Sequence, residues 1–230
     1  MRTSKTTDAQ LIWSRSLRGF RGDGERAGPA AVGLDDLVDL LLDADGVSDG
    51  AAPVVTCENP PFNRVWDTDD MTTVQFSVSD GSGSGVLSQS AIINKFETAT
   101  GTRATFDGDA IGMYLHYPDT VTVTVTAEDF VGNSGDTPCN FELEATPDSL
   151  LNNLARAQAE GDVPNPDVYN GLLDKLHQVK KQHNKGKHAT EWNALGAFID
   201  QLEGQRGKGI DLIVANRFIA YAEEIIAEGR

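Results

Sequence analysis

The residues with the most chemical potential in this chain are carboxylates. Asp67, Asp69 and Asp70 fall within four positions, Asp80 follows a short apolar alternation, and Asp107 and Asp109 flank a turn signal. Hard oxygen ligands gathered at one end of a β-domain suit calcium, so Asp67, Asp69, Asp70 and Asp80 form a candidate calcium set. The competing reading is a plain acidic surface that keeps the chain soluble. Catalytic arrangements are harder to find. No Gly-x-Ser-x-Gly elbow occurs, and Gly81 to Gly85 lacks the Gly-Lys-Ser/Thr ending of a phosphate loop. Acid/base pairs could be assembled from so many Asp and Glu residues, but no motif places one. The expectation is a protein that is not an enzyme and needs no cofactor, with calcium as the candidate ion.

The other candidates are weaker. Of four histidines, His177, His183 and His188 share a lysine-rich neighbourhood. On a helix, 177 and 183 point about 240° apart around the axis, which is not a zinc spacing. They read as solvated side chains. Asp43-Ala-Asp45-Gly46-Val-Ser-Asp49 repeats Asp, but its Gly is misplaced for an EF-hand loop, so it reads as acidic linker. Trp66 lies in a polar loop with Phe62 and Pro60-Pro61; it either stacks on a sugar ring or covers the end of a sandwich.

Cys57 and Cys139 are the only thiols. A bridge between them would close a loop of roughly 80 residues and stabilise by about 4–5 kcal/mol in the chain-entropy model. The alternative is two unrelated buried thiols. A bridge implies folding in an oxidising compartment. No apolar run follows the basic start, so a secretory signal is not visible, and no stretch is long enough to cross a membrane. The beginning of the chain is therefore expected to be incomplete, or the protein to be exported by a route that leaves no such mark.

These residues must be positioned by at least two kinds of element. The net charge of −16 makes nucleic acid and anionic lipid poor partners. Of it, about −11 falls on residues 53–145, which separates that segment from its flanks. Residues 1–52 read as disordered or linker, with one short amphipathic helix over 34–42. Residues 53–146 read as about seven short strands. Val74, Phe76 and Val78 alternate, as do Val121, Val123, Val125 and Ala127, and then Cys139, Phe141 and Leu143. Further strands are expected over 86–96, 103–106 and 110–117. Asp129-Phe-Val-Gly132-Asn133-Ser-Gly135 is turn chemistry, since Gly and Asn tolerate positive φ. Residues 147–230 change to helical period, with helices expected at 149–160, from Pro166 with Asn165 as N-cap, from Thr190, and over 210–226. Short loops make these a small antiparallel bundle.

Ser79-Asp80-Gly-Ser-Gly-Ser84-Gly85-Val86, then Val121 to Ser134 with its Ala-x-Asp-x-x-Gly-Asn hairpin, resembles prokaryotic immunoglobulin-like repeats. Ala52-Pro53-Val54-Val55-Thr56 fits their first strand. The resemblance implies an immunoglobulin-like β-sandwich; its functions include spacer, adhesin stalk and accessory module. With Cys57 on the first strand and Cys139 on the last, the bridge would staple the domain's two ends and differ from the inter-sheet pair of antibody domains. The helical half, with Lys185-Gly-Lys187, Leu195-Gly-Ala-Phe198-Ile199-Asp-Gln-Leu202 and Gln205-Arg-Gly207-Lys-Gly-Ile210, is similar to the FIMAH module of bacterial secreted proteins. Leu202 stands where the usual pattern has Val. The family offers no catalytic residues to carry over.

The expected fold is multidomain β plus α, an immunoglobulin-like sandwich followed by a helical bundle. The expected role is a non-enzymatic extracellular or cell-surface module: spacer, adhesive or partner-binding region of a larger prokaryotic protein. Its expected partners are protein or carbohydrate at the cell surface, with self-association open and membrane insertion not expected. The rival expectations are an accessory region of a secreted hydrolase and a self-assembling surface or filament subunit.

Overall fold

A computed structural model describes residues 49–60 and 65–229. The expected helix at 34–42 and the Asp run over 43–48 lie outside the described residues, as does Phe62. The β-rich part carries strands β1 (Val54–Asn59), β2 (Val65–Asp67), β3 (Met71–Thr73), β4 (Gln75–Ser79), β5 (Val86–Asn94), β6 (Thr102–Thr105), β7 (Ala110–Gly112), β8 (Asp119–Asp129) and β9 (Ser134–Glu144). The centre is a five-stranded sheet in the order β2-β9-β8-β5-β6, antiparallel except that β2 runs parallel to β9. Two short ladders, β1-β4 and β3-β7, complete the strand pairing.

Alternation decides which face is covered. On β8, Val121, Val123, Val125 and Ala127 are buried, and the threonines between them are at least partly exposed. Phe141 and Leu143 of β9 and Ala91 and Ile93 of β5 extend the same apolar face. Phe76 of β4, Ile111 of β7 and Met113 pack into one core with them, making a β-sandwich. Trp66 is only 6% exposed in that core, so it covers the sandwich and is unavailable for stacking on a sugar.

Cys57 and Cys139 form a disulfide with Cα atoms 5.9 Å apart. Because β1 pairs with β4, the bridge joins the small β1-β4 ladder to the five-stranded sheet. It therefore links layers as well as the first and last strands, which corrects the expectation of a staple that is not inter-sheet. The segment expected to be one strand over 110–117 is broken. After β7 the chain makes a short 3₁₀ turn at Met113–Leu115.

Four helices follow: α1 (Pro147–Glu160), α2 (Pro166–His183), α3 (His188–Gln205) and α4 (Leu212–Glu228). Helix α1 begins two residues before the expected Ser149. Pro147 occupies its first turn, where a missing N–H costs nothing, and Thr146 and Ser149 cap each other reciprocally. Asn165 caps α2 as expected, and Asp211 accepts from Ile213 and Val214 N–H at the start of α4. Each helix packs on the next and α1 also packs on α4. Their core holds Leu150, Leu154, Leu172, Leu176, Leu195 and Leu202. Phe198, Phe218 and Tyr221 meet edge to face at 6.3 Å between successive rings.

Candidate functional site

The carboxylates expected to act together go to two different places. Asp67, Asp69 and Asp70 lie where the sandwich meets the bundle. Thr146 Oγ1 donates to Asp67 Oδ2 at 2.8 Å, and Asn152 Nδ2 donates to Asp69 Oδ2 at 2.5 Å. Asp70 Oδ2 accepts the backbone N–H of Asp67 at 3.0 Å. Burial pushes the Asp67 carboxyl up from its usual range, against hydrogen bonds from Ser149 and Thr146 that act the other way. Asp80 is at the opposite end of the sandwich. Asp67 pairs with Glu144 at the end of β9, whereas Asp80 lies beside Asp129 at the far end of the β8-β9 hairpin. Strands of this length separate the two ends by about 30 Å. The four residues therefore do not form one calcium set: Asp67 and Asp69 accept hydrogen bonds from the bundle, Asp70 accepts from Asp67, and Asp80 is at the other end.

The junction itself is polar and specific. Thr68 is fully buried, donates to Ser149 Oγ at 2.8 Å, and accepts from Asn153 Nδ2 at 3.2 Å. Tyr221 of α4 is buried in the bundle, yet its hydroxyl donates to the carbonyls of His116 at 2.6 Å and Tyr114 at 3.0 Å. The 3₁₀ turn presents the Tyr114 carbonyl, and His116 follows as its cap. Burial pushes the Tyr221 phenol well up and pulls the His116 imidazole down to about 4. Glu224 Oε2 accepts the N–H of Ala145 at 2.9 Å, and burial, with Glu228 and Asp119 nearby, raises its carboxyl to about 7. The Arg156 guanidinium lies 4.1 Å from the Tyr114 ring centre. A crevice between these elements has about 10 Å³ of free space, room for about one water.

Asp80 belongs to a second group that its neighbours in sequence did not disclose. One carboxylate oxygen each from Asp49, Asp80 and Asp129 lie within 4.8 Å of one another. Asp129 is fully buried at the end of β8. Its Oδ1 accepts from Val131 N–H at 2.9 Å and Asn133 N–H at 2.8 Å, and its Oδ2 accepts from Asn133 Nδ2 at 2.7 Å. The Asp-x-x-Gly-Asn sequence thus makes a self-capped turn, with Gly132 at φ +91°. Asp80 Oδ2 accepts Gly85 N–H at 2.6 Å, and Asp49 Oδ2 accepts Ser84 N–H at 2.7 Å. The Ser84 N–H bond is the largest influence holding the Asp49 carboxyl below its ordinary range. Asp107 and Asp109 remain apart, accepting from Phe76 N–H and Phe106 N–H to shape a turn.

Two of the histidines, though largely solvated as expected, also meet an acid. His183 Nδ1 lies 3.0 Å and His188 Nδ1 3.3 Å from the carboxylate of Glu191, which is fully buried. They flank the loop between α2 and α3, so a gap of five residues in sequence brings them to one acid. His177 is exposed and apart from them.

No curated protein and no solved structure matches the chain. A FIMAH domain is detected over residues 147–227, from the first residue of α1 to the last turn of α4.

Proposed function

We propose that the chain is a non-enzymatic module of a surface or secreted protein. In this reading an immunoglobulin-like sandwich and a FIMAH domain act together as a spacer that presents a partner-binding end. The observation that carries it is the FIMAH domain over 147–227, joined through two residues to a sandwich that holds a disulfide. A bridge between strands is at home outside the reducing cytosol. The carboxyls with raised values, Asp67, Asp162 and Glu224, belong to packed contacts or helix ends, and the free space at the junction admits about one water, which suits structure better than turnover. Protein or carbohydrate at the cell surface is the expected partner class.

The test is alkylation of the native protein in its source cells, followed by mass measurement, beside protease treatment of intact cells. The expected result is that neither cysteine reacts before reduction, both react after it, and external protease removes the protein. Reactive thiols in a protease-protected protein would overturn the reading. Self-assembly is a second reading, favoured by the edge strand β6 and by exposed Ile92 and Phe106 near it. On that reading the scattering mass rises with concentration, and a constant monomer mass removes it.

A further inference from the structure

We infer that Asp49, Asp80 and Asp129 bind one calcium ion, which fastens the residue 49 segment to the β4-β5 loop and the β8-β9 hairpin. The donor set is all oxygen, with no His or Cys, and so selects a hard cation. Three ionised carboxylates with oxygens within 4.8 Å repel one another, and a cation between them relieves that repulsion. Among the described residues, no Lys or Arg forms an ion pair with any of the three.

Two further atoms point to a ligand. Asp80 Oδ1 has essentially no accessible surface and no hydrogen-bond partner, and Ser84 Oγ is equally enclosed. Ser84 is held beside Asp49 through its own N–H, and its hydroxyl faces the same carboxylate. Buried oxygens without donors are costly, and an ion accepting their lone pairs removes that cost. The carboxylates are also oriented in advance. Backbone N–H groups hold each of them, Asp49 at both oxygens through Ser84 and Ala51, leaving the remaining lone pairs to converge. With Ser84 Oγ as a fourth protein oxygen and water completing the shell, the site suits calcium, which takes six to eight ligands in flexible geometry. Magnesium demands near-octahedral order and keeps more of its water.

The experiment uses the full chain stripped with chelator, titrated calorimetrically with calcium chloride or magnesium chloride, and melted with and without each ion. The expected result is one calcium per chain, with a dissociation constant on the order of 10⁻⁴ to 10⁻³ M, as in extracellular modules. Melting temperature rises with calcium and much less with magnesium. Asp49→Asn and Asp80→Asn each weaken calcium at least tenfold, while Asp69→Asn at the far end leaves it unchanged. Absence of heat and of any melting shift at millimolar calcium overturns the inference. So does binding that survives both Asn variants, or magnesium binding as tightly as calcium. If a variant fails to fold, amide resonances of the parent decide. Shifts at Gly85 and Asn133 support the site, and shifts confined to Thr68–Asp70 overturn it.

Discussion

Glu224 shows how a single side chain can set the response of the junction to pH. Its carboxyl lies near 7 when folded against an ordinary 4.5, chiefly from burial, with Glu228 and Asp119 adding to the effect and Lys95 opposing it. Between those values the folded form holds a proton that the unfolded form has released. The stabilising contribution is therefore full below about 4.5 and lost as pH rises through about 7. His116 works in the opposite sense. Its folded value near 4 lies below 6.5, so stability falls as pH drops through that window. Comparing parent with Glu224→Gln isolates the first effect, since Gln can still accept the Ala145 N–H. The expected outcome is that Glu224→Gln gains melting temperature relative to parent from pH 5 to about pH 7 and that the difference levels off above it. An unchanged difference across that range would contradict it. Nothing in the sequence marks Glu224 among its acidic neighbours, because its value depends on packing against residues about 80 positions away. Likewise, Asp67 and Asp69 were expected to offer oxygens to calcium, but they accept hydrogen bonds from Thr146 and Asn152 of the bundle, partners about 80 positions away.

Elements with a strong period were legible, and short or interrupted ones were not. The Val/Thr alternation gives β8 directly, and the Asp129–Asn133 turn follows from residue types that accept its geometry. Strands β2 and β3 have three residues each, too few to show a period, and exist because partners in β9 and β7 supply their ladders. The run over 110–117 looks like one strand, but it breaks at Met113 into the turn that offers carbonyls to Tyr221. Pro147 lies just before the helix expected from Ser149, although a proline fits the first turn of a helix and begins it here. At this scale the hairpin invites a test. Asp129→Ala removes three hydrogen bonds from a buried turn and should cost about 2–3 kcal/mol in urea unfolding without calcium. Asn133→Ala should cost less, because Asp129 keeps its two backbone donors. Equal stability of all three proteins would contradict the turn's role.

For the whole molecule, the junction makes sandwich and bundle dependent on each other. Thr68, Tyr221 and Glu224 all bond across it while largely or partly removed from solvent, so opening it leaves buried polar groups exposed to change on both sides. Calorimetry on the described modules within the full chain should therefore show one shared transition. Tyr221→Phe should lower its midpoint, by about 1–2 kcal/mol in stability, and two separated transitions would show independent modules. Reduction of Cys57–Cys139 should cost about 4 kcal/mol, given a separation of 82 residues. The same bridge has a mechanical consequence. A pull applied at Asp49 and Ala145 passes from β1 into β9 through the sulfur atoms and bypasses everything between them. Even a fully unravelled sandwich could then lengthen to only about 50 Å of chain, against about 340 Å once reduced. Oxidised, the module is a tether of nearly fixed length, and a reductant would turn it into an extensible one.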